Sequence, residues 1–159
     1  MYLVVDYHEK YLPDLIEMCM DLTLYDQQFG NTDYKENFVD LFASFWDWIE
    51  TIAVDNNFKI LLAFNDDEPI GFVIGEVQKG LPFRKFYNQS VIMHMFFIKP
   101  KFRRTKVSSL LYDEFELQME LLGHKTIYTA ITIGNETALH ATRVVKGYNI
   151  KAHLLQKEL

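Results

Sequence analysis

Three short apolar runs follow one another in the middle of this sequence: FKILLAF, PIGFVIGEV and SVIMHMFFI. The first two flank the polar residues NDDE, a pattern that predicts a β-hairpin, and the third predicts a further internal strand. Apolar residues at helical spacing occur on both sides of this block. A chain with this order is expected to form an α/β (α+β) fold.

The whole chain predicts the order β-α-α-β-β-β-α-β-α-β. A strand, YLVVDY, precedes a helix with Pro13 in its first turn. Asp33 is a plausible N-cap for a second helix, YKENFVDLFASFWDWIETIAV, whose aromatic stripe is expected to lie in the core. A third helix is predicted from about Val107 to Leu122, with Gly123 as its stop.

The C-terminal part of the chain predicts three more elements. KTIYTAIT is a strand, and NETALHATRVVK is a helix with Asn135 near its cap and Gly147 as its stop. A last strand, YNIKAHLLQ, follows. Its apolar edge favours pairing with a second copy, so a homodimer is expected if the protein acts alone.

Composition narrows the classes of function. The 159 residues, nearly half of them apolar, are expected to form one domain over 1–159. A net charge of −6 argues against a nucleic-acid or anionic-membrane surface. An N-terminal secretion signal and a long apolar run are missing from the sequence, which favours a cytoplasmic protein without membrane spans. Cys19 is expected to be a buried thiol, and no metal is predicted because the histidines lack zinc-like spacing.

Basic charge is concentrated in one stretch, IKPKFRRTKVSSLLYDEF, which predicts a strand, a bend at Pro100 and the start of a helix. The N–H groups of a helix N-terminus lack intrahelical partners and attract anions, phosphate above all. Nearby cations and hydroxyls would strengthen that site, although the same cations could simply be solvated. The residues concerned are Lys101, Arg103, Arg104, Lys106, Ser108 and Ser109.

This stretch and the element order resemble the GNAT superfamily of acetyl-CoA-dependent N-acetyltransferases, over nearly the whole chain. The resemblance implies a GNAT-like α/β (α+β) fold, a mixed and mainly antiparallel sheet of six to seven strands with helices on both faces. In FFIKPKFRRTKVSSLL, Arg103 stands at the Gln/Arg position of the family's acyl-CoA motif. The resemblance implies acetyl-CoA as co-substrate, with the Phe97–Ile98 edge pairing with the pantetheine arm. It also implies that the CoA pyrophosphate binds the backbone N–H groups of Arg104, Thr105, Lys106, Val107, Ser108 and Ser109.

Two positions depart from the motif. Lys106 stands where the family has glycine, and Ser108 stands where the family has glycine or alanine. Three outcomes are open for Lys106. Its φ is helical, or its Cβ weakens the approach of phosphate, or its ammonium group contacts phosphate as a point charge.

The last helix carries a second point of resemblance. Asn135 and Ala138 match the family's Asn-x-x-Ala pattern, which places the asparagine near the cofactor, and the helix ends at Gly147–Tyr148. The spacing is one residue longer than usual. Thr142 occupies the position at which some members carry a tyrosine as general acid.

Direct attack of an amine on a thioester requires a base, an oxyanion site and a proton for the leaving thiolate. The family's base in several members projects near Ile92, which cannot serve. His94, two residues further along the strand, is the first candidate and Glu76 the second; His140 is the candidate acid. Backbone N–H groups where the two central strands separate would form the oxyanion site.

The expected activity is transfer of an acetyl group from acetyl-CoA to a primary amine of a small molecule or a protein. Asp21, Asp26 and Asp33 make the segment between the first two helices acidic, which would suit a cationic amine or be a solvated loop. The alternative is a catalytically silent GNAT-like structural or interaction protein, for example a component of a larger assembly such as a viral particle. The altered motif favours that alternative.

Overall fold

A computed structural model describes residues 1–30, 34, 37–78 and 90–150. Five strands form one sheet in the order β1-β2-β3-β4-β5. The pairs from β1 to β4 are antiparallel and β4 pairs with β5 in parallel, so the predicted mixed, mainly antiparallel sheet is confirmed. The strands are β1 (Tyr2–Asp6), β2 (Phe58–Asn65), β3 (Glu68–Gln78), β4 (Ser90–Ile98) and β5 (Thr126–Thr129).

Four α-helices flank the sheet in the described part of the chain. They are α1 (Leu12–Gln27), α2 (Phe38–Ala53), α3 (Val107–Leu121) and α4 (Glu136–His140). A π-helical turn, Ala141–Val145, continues α4, and short 3-10 turns precede α1 and α3. None of these helices is long and apolar enough to cross a bilayer.

The described residues contain five strands, whereas the sequence predicts six to seven. The further predicted strand is YNIKAHLLQ. Residues 148–150 carry no regular structure, and residues 151–159 lie outside the described residues. The predicted dimer would form through this same strand, so that prediction also concerns residues outside the described part of the chain.

The start of α2 differs from the prediction. The helix begins at Phe38, and the Asn37 side chain caps it by accepting a 2.8 Å hydrogen bond from the Val39 N–H. The sequence offers several polar residues before this helix, and the one adjacent to the first periodic apolar residue acts as the cap. Asp33, the predicted cap, lies outside the described residues.

The predicted ends of α3 and the last helix are confirmed. Gly123 takes φ +89° beyond α3, its N–H bonds to Glu120 O at 2.9 Å, and the next N–H, of His124, bonds to Met119 O at 3.0 Å. The Asn135 side chain caps α4 by accepting a 3.1 Å bond from Ala138 N–H. Gly147 takes φ +75° after the π-helical turn.

Apolar clusters cover both faces of the sheet, which confirms helices on both sides. One cluster joins α1 and α2 to the sheet and includes Cys19, whose thiol pKa is raised by burial. The other joins α3 to the opposite face around Phe115. Gly75 permits this packing, because a Cβ there would lie 2.3 Å from the Phe115 ring.

The aromatic stripe of α2 is only partly in the core. Ile49 is fully buried, and Phe45 and Trp46 pack against the first cluster. Phe38 and Phe42, by contrast, are 62% and 39% exposed. The expectation of a wholly buried stripe is therefore wrong at its N-terminal end, because a helix buries only the part of its face that the sheet reaches.

Candidate active site

β4 and β5 separate halfway along β4. The parallel pairing of β4 with β5 ends at Met93 and Thr129, where Thr129 Oγ1 donates a 3.2 Å hydrogen bond to Met93 O. β4 continues to Ile98 while pairing only with β3. The backbone edge of residues 94–98 therefore faces an opening. β4 and β5 are the pair of strands that the sequence predicts to separate.

A β-bulge lies at the start of this opening. Ile74 pairs with Met95 and Gly75 with Met93, so His94 is an extra residue on β4. Met93 belongs to the α3-side cluster and Met95 packs against the α1–α2 cluster, although residues two apart in a regular strand share a face. The bulge thus re-aims the chain at His94.

The bulge brings together the two base candidates that the sequence offers as alternatives. His94 Nε2 lies 2.6 Å from Glu76 Oε2, and Gln78 Nε2 donates to the same oxygen at 3.2 Å. The Phe58 ring stacks on the imidazole with centroids 6.2 Å apart. The side chains of His94 and Glu76 are 33% and 28% exposed, so solvent or a small molecule can reach them. If Nε2 donates to Glu76, Nδ1 remains as a proton acceptor.

The third catalytic candidate is not part of this pair. His140, at the end of α4, is exposed, and within the described ranges no hydrogen bond or ion pair joins it to His94 or Glu76. Thr142, two residues later, is 4% exposed and shares a 3.3 Å hydrogen bond with the Tyr112 hydroxyl. Burial raises the pKa of Tyr112, while the bond to Thr142 acts in the opposite direction.

Tyr112 has no motif to mark it in the sequence, where it belongs only to the helical periodicity of α3. Its ring stacks on Phe96 of β4 with centroids 4.2 Å apart. The contact between Thr142 and Tyr112 depends on the π-helical turn Ala141–Val145, since a π-turn accommodates one extra residue within a helix. The extra residue in the spacing from Asn135 to Gly147 is consistent with that turn.

The turn after β4 shows which backbone conformation Lys106 adopts. Lys106 has φ −68° and ψ −13°, which is helical, so its Cβ adds no backbone strain. The left-handed residue is Arg104, with φ +62°. Thr105 stabilises the turn, since its hydroxyl donates to Phe102 O at 2.7 Å and accepts from Val107 N–H at 3.3 Å.

Most of the N–H groups predicted to bind phosphate are available. That of Val107 bonds to Thr105 Oγ1, whereas the other five have no hydrogen-bond partner within the described parts of the chain. They stand at or before the N-terminus of a 15-residue helix, where the helix dipole favours an anion. The five belong to Arg104, Thr105, Lys106, Ser108 and Ser109.

The four cations of the turn divide into two groups. Lys101 pairs with Glu68 at 3.0 Å, and Arg103 donates through Nε to Ile98 O at 3.0 Å while its guanidinium lies 4.1 Å from the Tyr25 ring centroid. Arg104 and Lys106 form no ion pair with any described residue. Lys101 and Arg103, whose side chains have partners within the protein, therefore stabilise the turn.

The remaining predicted cofactor contacts differ in how exposed they are. The side chains of Phe97 and Ile98 are buried, at 3% and 5% exposed, so only their backbone edge is available to a ligand. The Asn135 amide oxygen is occupied in capping α4. Of the three acidic residues proposed for the acceptor side, Asp21 is exposed, Asp26 is half-buried and Asp33 lies outside the described residues.

Comparison with known proteins agrees with this geometry. The sequence model of the acetyltransferase (GNAT) family matches residues 21–145. The fold is similar to that of a transcriptional regulator from Bacillus halodurans C-125, with a TM-score of 0.80, 15% identity and 100% of both chains covered.

Two acetyltransferases of known structure share the fold. One is an aminoglycoside N-acetyltransferase in complex with CoA, with a TM-score of 0.79 at 11% identity, covering 99% of this chain and 95% of that one. The other is an aminoglycoside antibiotic 6'-N-acetyltransferase from Acinetobacter baumannii, with a TM-score of 0.76 at 12% identity, covering 100% and 98%. A search of curated protein sequences finds no match. At such low identities, the structural similarities establish the fold alone.

Proposed function

The chain belongs to the GNAT acetyltransferase family, and from this premise we propose that it transfers an acetyl group from acetyl-CoA to a primary amine. The observation that carries the proposal is the His94–Glu76 pair at the bulge, beside the point where β4 leaves β5. A base held by a carboxylate next to an open strand edge is what direct attack on a thioester needs.

Acetyl-CoA would lie along the opening between β4 and β5. The free backbone edge of β4 at Phe97 and Ile98 would hydrogen-bond the amides of the pantetheine arm. The pyrophosphate would accept hydrogen bonds from the five free N–H groups of the turn, with Arg104 and Lys106 adding charge. Arg103 would act indirectly, because its guanidinium already packs between Tyr25 and Phe97.

His94 would act as the general base. It takes a proton from the acceptor's ammonium group, and Glu76 stabilises the imidazolium that forms. The neutral nitrogen then bonds to the carbonyl carbon of the thioester. Backbone N–H groups at the bulge would stabilise the oxyanion before the carbon–sulfur bond breaks.

The acceptor nitrogen loses its second proton as the amide forms, and the leaving thiolate gains one from a second group, so that the reaction releases one proton overall, through His94. The sequence proposes His140, and the geometry adds the hydroxyl pair of Thr142 and Tyr112. Separate His140→Gln and Tyr112→Phe variants distinguish the two donors, since only the true donor's loss lowers turnover while leaving acetyl-CoA affinity unchanged.

A second function is favoured by one observation, the exposed apolar start of α2 at Phe38, Val39 and Phe42. Such a surface is typical of an interaction site. In this alternative the chain is a non-enzymatic GNAT-like interaction protein, and the departures at Lys106 and Ser108 reflect loss of CoA binding.

Isothermal titration calorimetry with acetyl-CoA separates the two functions, followed by a thiol-release assay with a panel of primary amines. The enzyme is expected to bind acetyl-CoA at micromolar concentration and to release CoA only when an amine is present. Absence of heat at millimolar acetyl-CoA, with the protein folded by circular dichroism, would establish the non-enzymatic alternative.

A further inference from the structure

The C-terminal end of α1 lies across the opening between β4 and β5. Tyr25 contacts the guanidinium of Arg103 in the turn after β4. Asp26, the next residue, hydrogen-bonds the side chain of Thr132 in the loop after β5. Phe29 lies close to Gly134 in the same loop, since a Cβ at Gly134 would be 3.6 Å from its ring. This end of α1 therefore borders the opening on both sides.

Asp26 is a half-buried carboxylate that lacks a cationic partner among the described residues. It accepts hydrogen bonds from neutral donors only, the Tyr34 hydroxyl at 3.2 Å and the side chain of Thr132. Burial raises its pKa, and the two hydrogen bonds oppose that effect in part. A carboxylate withdrawn from water in this way gains most from a cation.

Aromatic rings stand close to this carboxylate. The Phe29 ring meets the Tyr25 ring edge-to-face, with centroids 5.2 Å apart, and Tyr34 contacts the carboxylate itself. One face of Tyr25 is already occupied by Arg103, so the Phe29 ring is the aromatic group next to Asp26 that would contact a ligand. A carboxylate beside aromatic rings suits an alkylammonium group, which binds through charge and through cation–π contact.

The chain itself limits the distance from Asp26 to the proposed base. Thr132 follows Thr129 by three residues, and three residues span at most about 10 Å. Thr129 hydrogen-bonds Met93 O, and Met93 precedes His94. This series of contacts links Asp26 to the strand that carries His94, and the length of the acceptor that joins the two residues is the variable that the experiment scans.

We propose that Asp26 binds a second ammonium group of the acceptor, so that the acceptor is an aliphatic diamine or polyamine and not a monoamine. The inference rests on the proposed acetyl transfer, because the other amine is the one acetylated. That amine gives its proton to His94, whereas the ammonium at Asp26 keeps its proton and its charge throughout the reaction.

The experiment compares α,ω-diamines of three to six carbons with the monoamines of equal chain length. Thiol release measures kcat/KM for the wild type, for Asp26→Asn, and for Glu17→Gln, an exposed carboxylate on the same helix as a matched control. A contact with a charged group changes affinity by about 10- to 100-fold. The wild type should prefer the best diamine by that factor. Asp26→Asn should remove the preference by lowering kcat/KM far more for diamines than for monoamines, whereas Glu17→Gln should retain it.

Calorimetry with 1,4-diaminobutane, with and without CoA, gives a readout besides activity. Diamine binding that Asp26→Asn removes, without turnover of any amine, would support the ammonium site while the proposed acetyl transfer fails. Turnover of monoamines and diamines with equal kcat/KM would leave acetyl transfer intact and overturn the ammonium site. Equal losses for both amine classes in Asp26→Asn would likewise overturn it, since the residue would then act through the fold.

Discussion

Nε2 of His94 lies 2.6 Å from Oε2 of Glu76, in a contact that crosses from β4 to β3 beside the bulge. The carboxylate orients the ring, and a proton on Nε2 between the two groups would leave Nδ1 as the acceptor. A base positioned in this way should lose its function if either member changes, but to different degrees.

His94→Gln is expected to lower kcat by about 10²- to 10⁴-fold, the usual contribution of a positioned general base. Glu76→Gln should cause a smaller loss, because the imidazole remains and only its orientation and charge stabilisation weaken. Steady-state thiol release measures both rates, and calorimetry with acetyl-CoA serves as the control. Unchanged rates in His94→Gln would exclude the histidine as base, and loss of acetyl-CoA binding would indicate a structural role.

The elements of the fold follow from the sequence because they depend on local periodicity. The hairpin of β2 and β3, the stop of α3 at Gly123 and the cap of α4 at Asn135 each depend on residues close together in the chain. The bulge at His94 does not depend on nearby residues in this way. A residue of β4 is extra only in relation to its pairing with β3, which is distant in the sequence. The sequence therefore identifies His94 and Glu76 separately and cannot show that they meet.

The other contacts of the candidate site could not be predicted from the sequence for a similar reason. The contact of Tyr112 with Thr142 joins α3 to the π-helical turn, and that of Asp26 with Thr132 joins α1 to the loop after β5. Both are long-range contacts between residues without a motif. The sequence also gives no sign of the left-handed conformation of Arg104, because arginine is not a residue that favours positive φ.

Packing at the centre of the sheet depends on Gly75. A Cβ there would lie 2.3 Å and 2.8 Å from two atoms of the Phe115 ring, so Gly75→Ala must displace a fully buried side chain. We expect a loss of about 1–3 kcal/mol in the free energy of unfolding, as for other overpacked cores. Chemical denaturation measures it. In a double-mutant cycle, Phe115→Leu should make Gly75→Ala less destabilising; additive effects would show that the two positions do not clash.

The half-buried Glu116 should make stability depend on pH. Burial raises its pKa above the usual 4.5, with the Tyr148 hydroxyl bond and Lys146 opposing the shift. A carboxyl whose folded-state pKa is raised favours the folded state when protonated, and this contribution is present below the unfolded pKa and is lost as pH rises through the folded pKa. Glu116→Gln should therefore gain stability relative to wild type as pH increases from 4 to 7, by about 1 kcal/mol or less after solvent screening.

Melting temperatures of the two proteins across that pH range measure the difference. Glu114→Gln, which removes a carboxylate from the same helix, is the comparison variant, and its difference from wild type should change less with pH. A difference for Glu116→Gln that stays constant from pH 4 to 7 would contradict the prediction, since the carboxyl would then titrate alike in both states.

Two glycine substitutions in the turn after β4 form a matched pair, because they are expected to change the free energy of unfolding in opposite directions. Arg104 has φ +62°, a conformation that is strained for residues with a Cβ, so Arg104→Gly should raise the free energy of unfolding by up to about 1 kcal/mol. Lys106 has a helical φ of −68°, so Lys106→Gly should lower it by about 0.5–1 kcal/mol. Both changes remove one cation, which cancels the effect of net charge in the comparison.

The same two variants test how the turn holds pyrophosphate. If the free N–H groups dominate, both should keep most of the acetyl-CoA affinity, and that affinity should vary little with salt. If the side-chain charges contribute, each variant should bind more weakly by about 1–3 kcal/mol, and the loss should shrink as added salt screens the contact. Calorimetry at low and high ionic strength decides between these outcomes. Equal destabilisation of the fold by both glycines would contradict the conformations assigned to Arg104 and Lys106, whatever the affinity for acetyl-CoA.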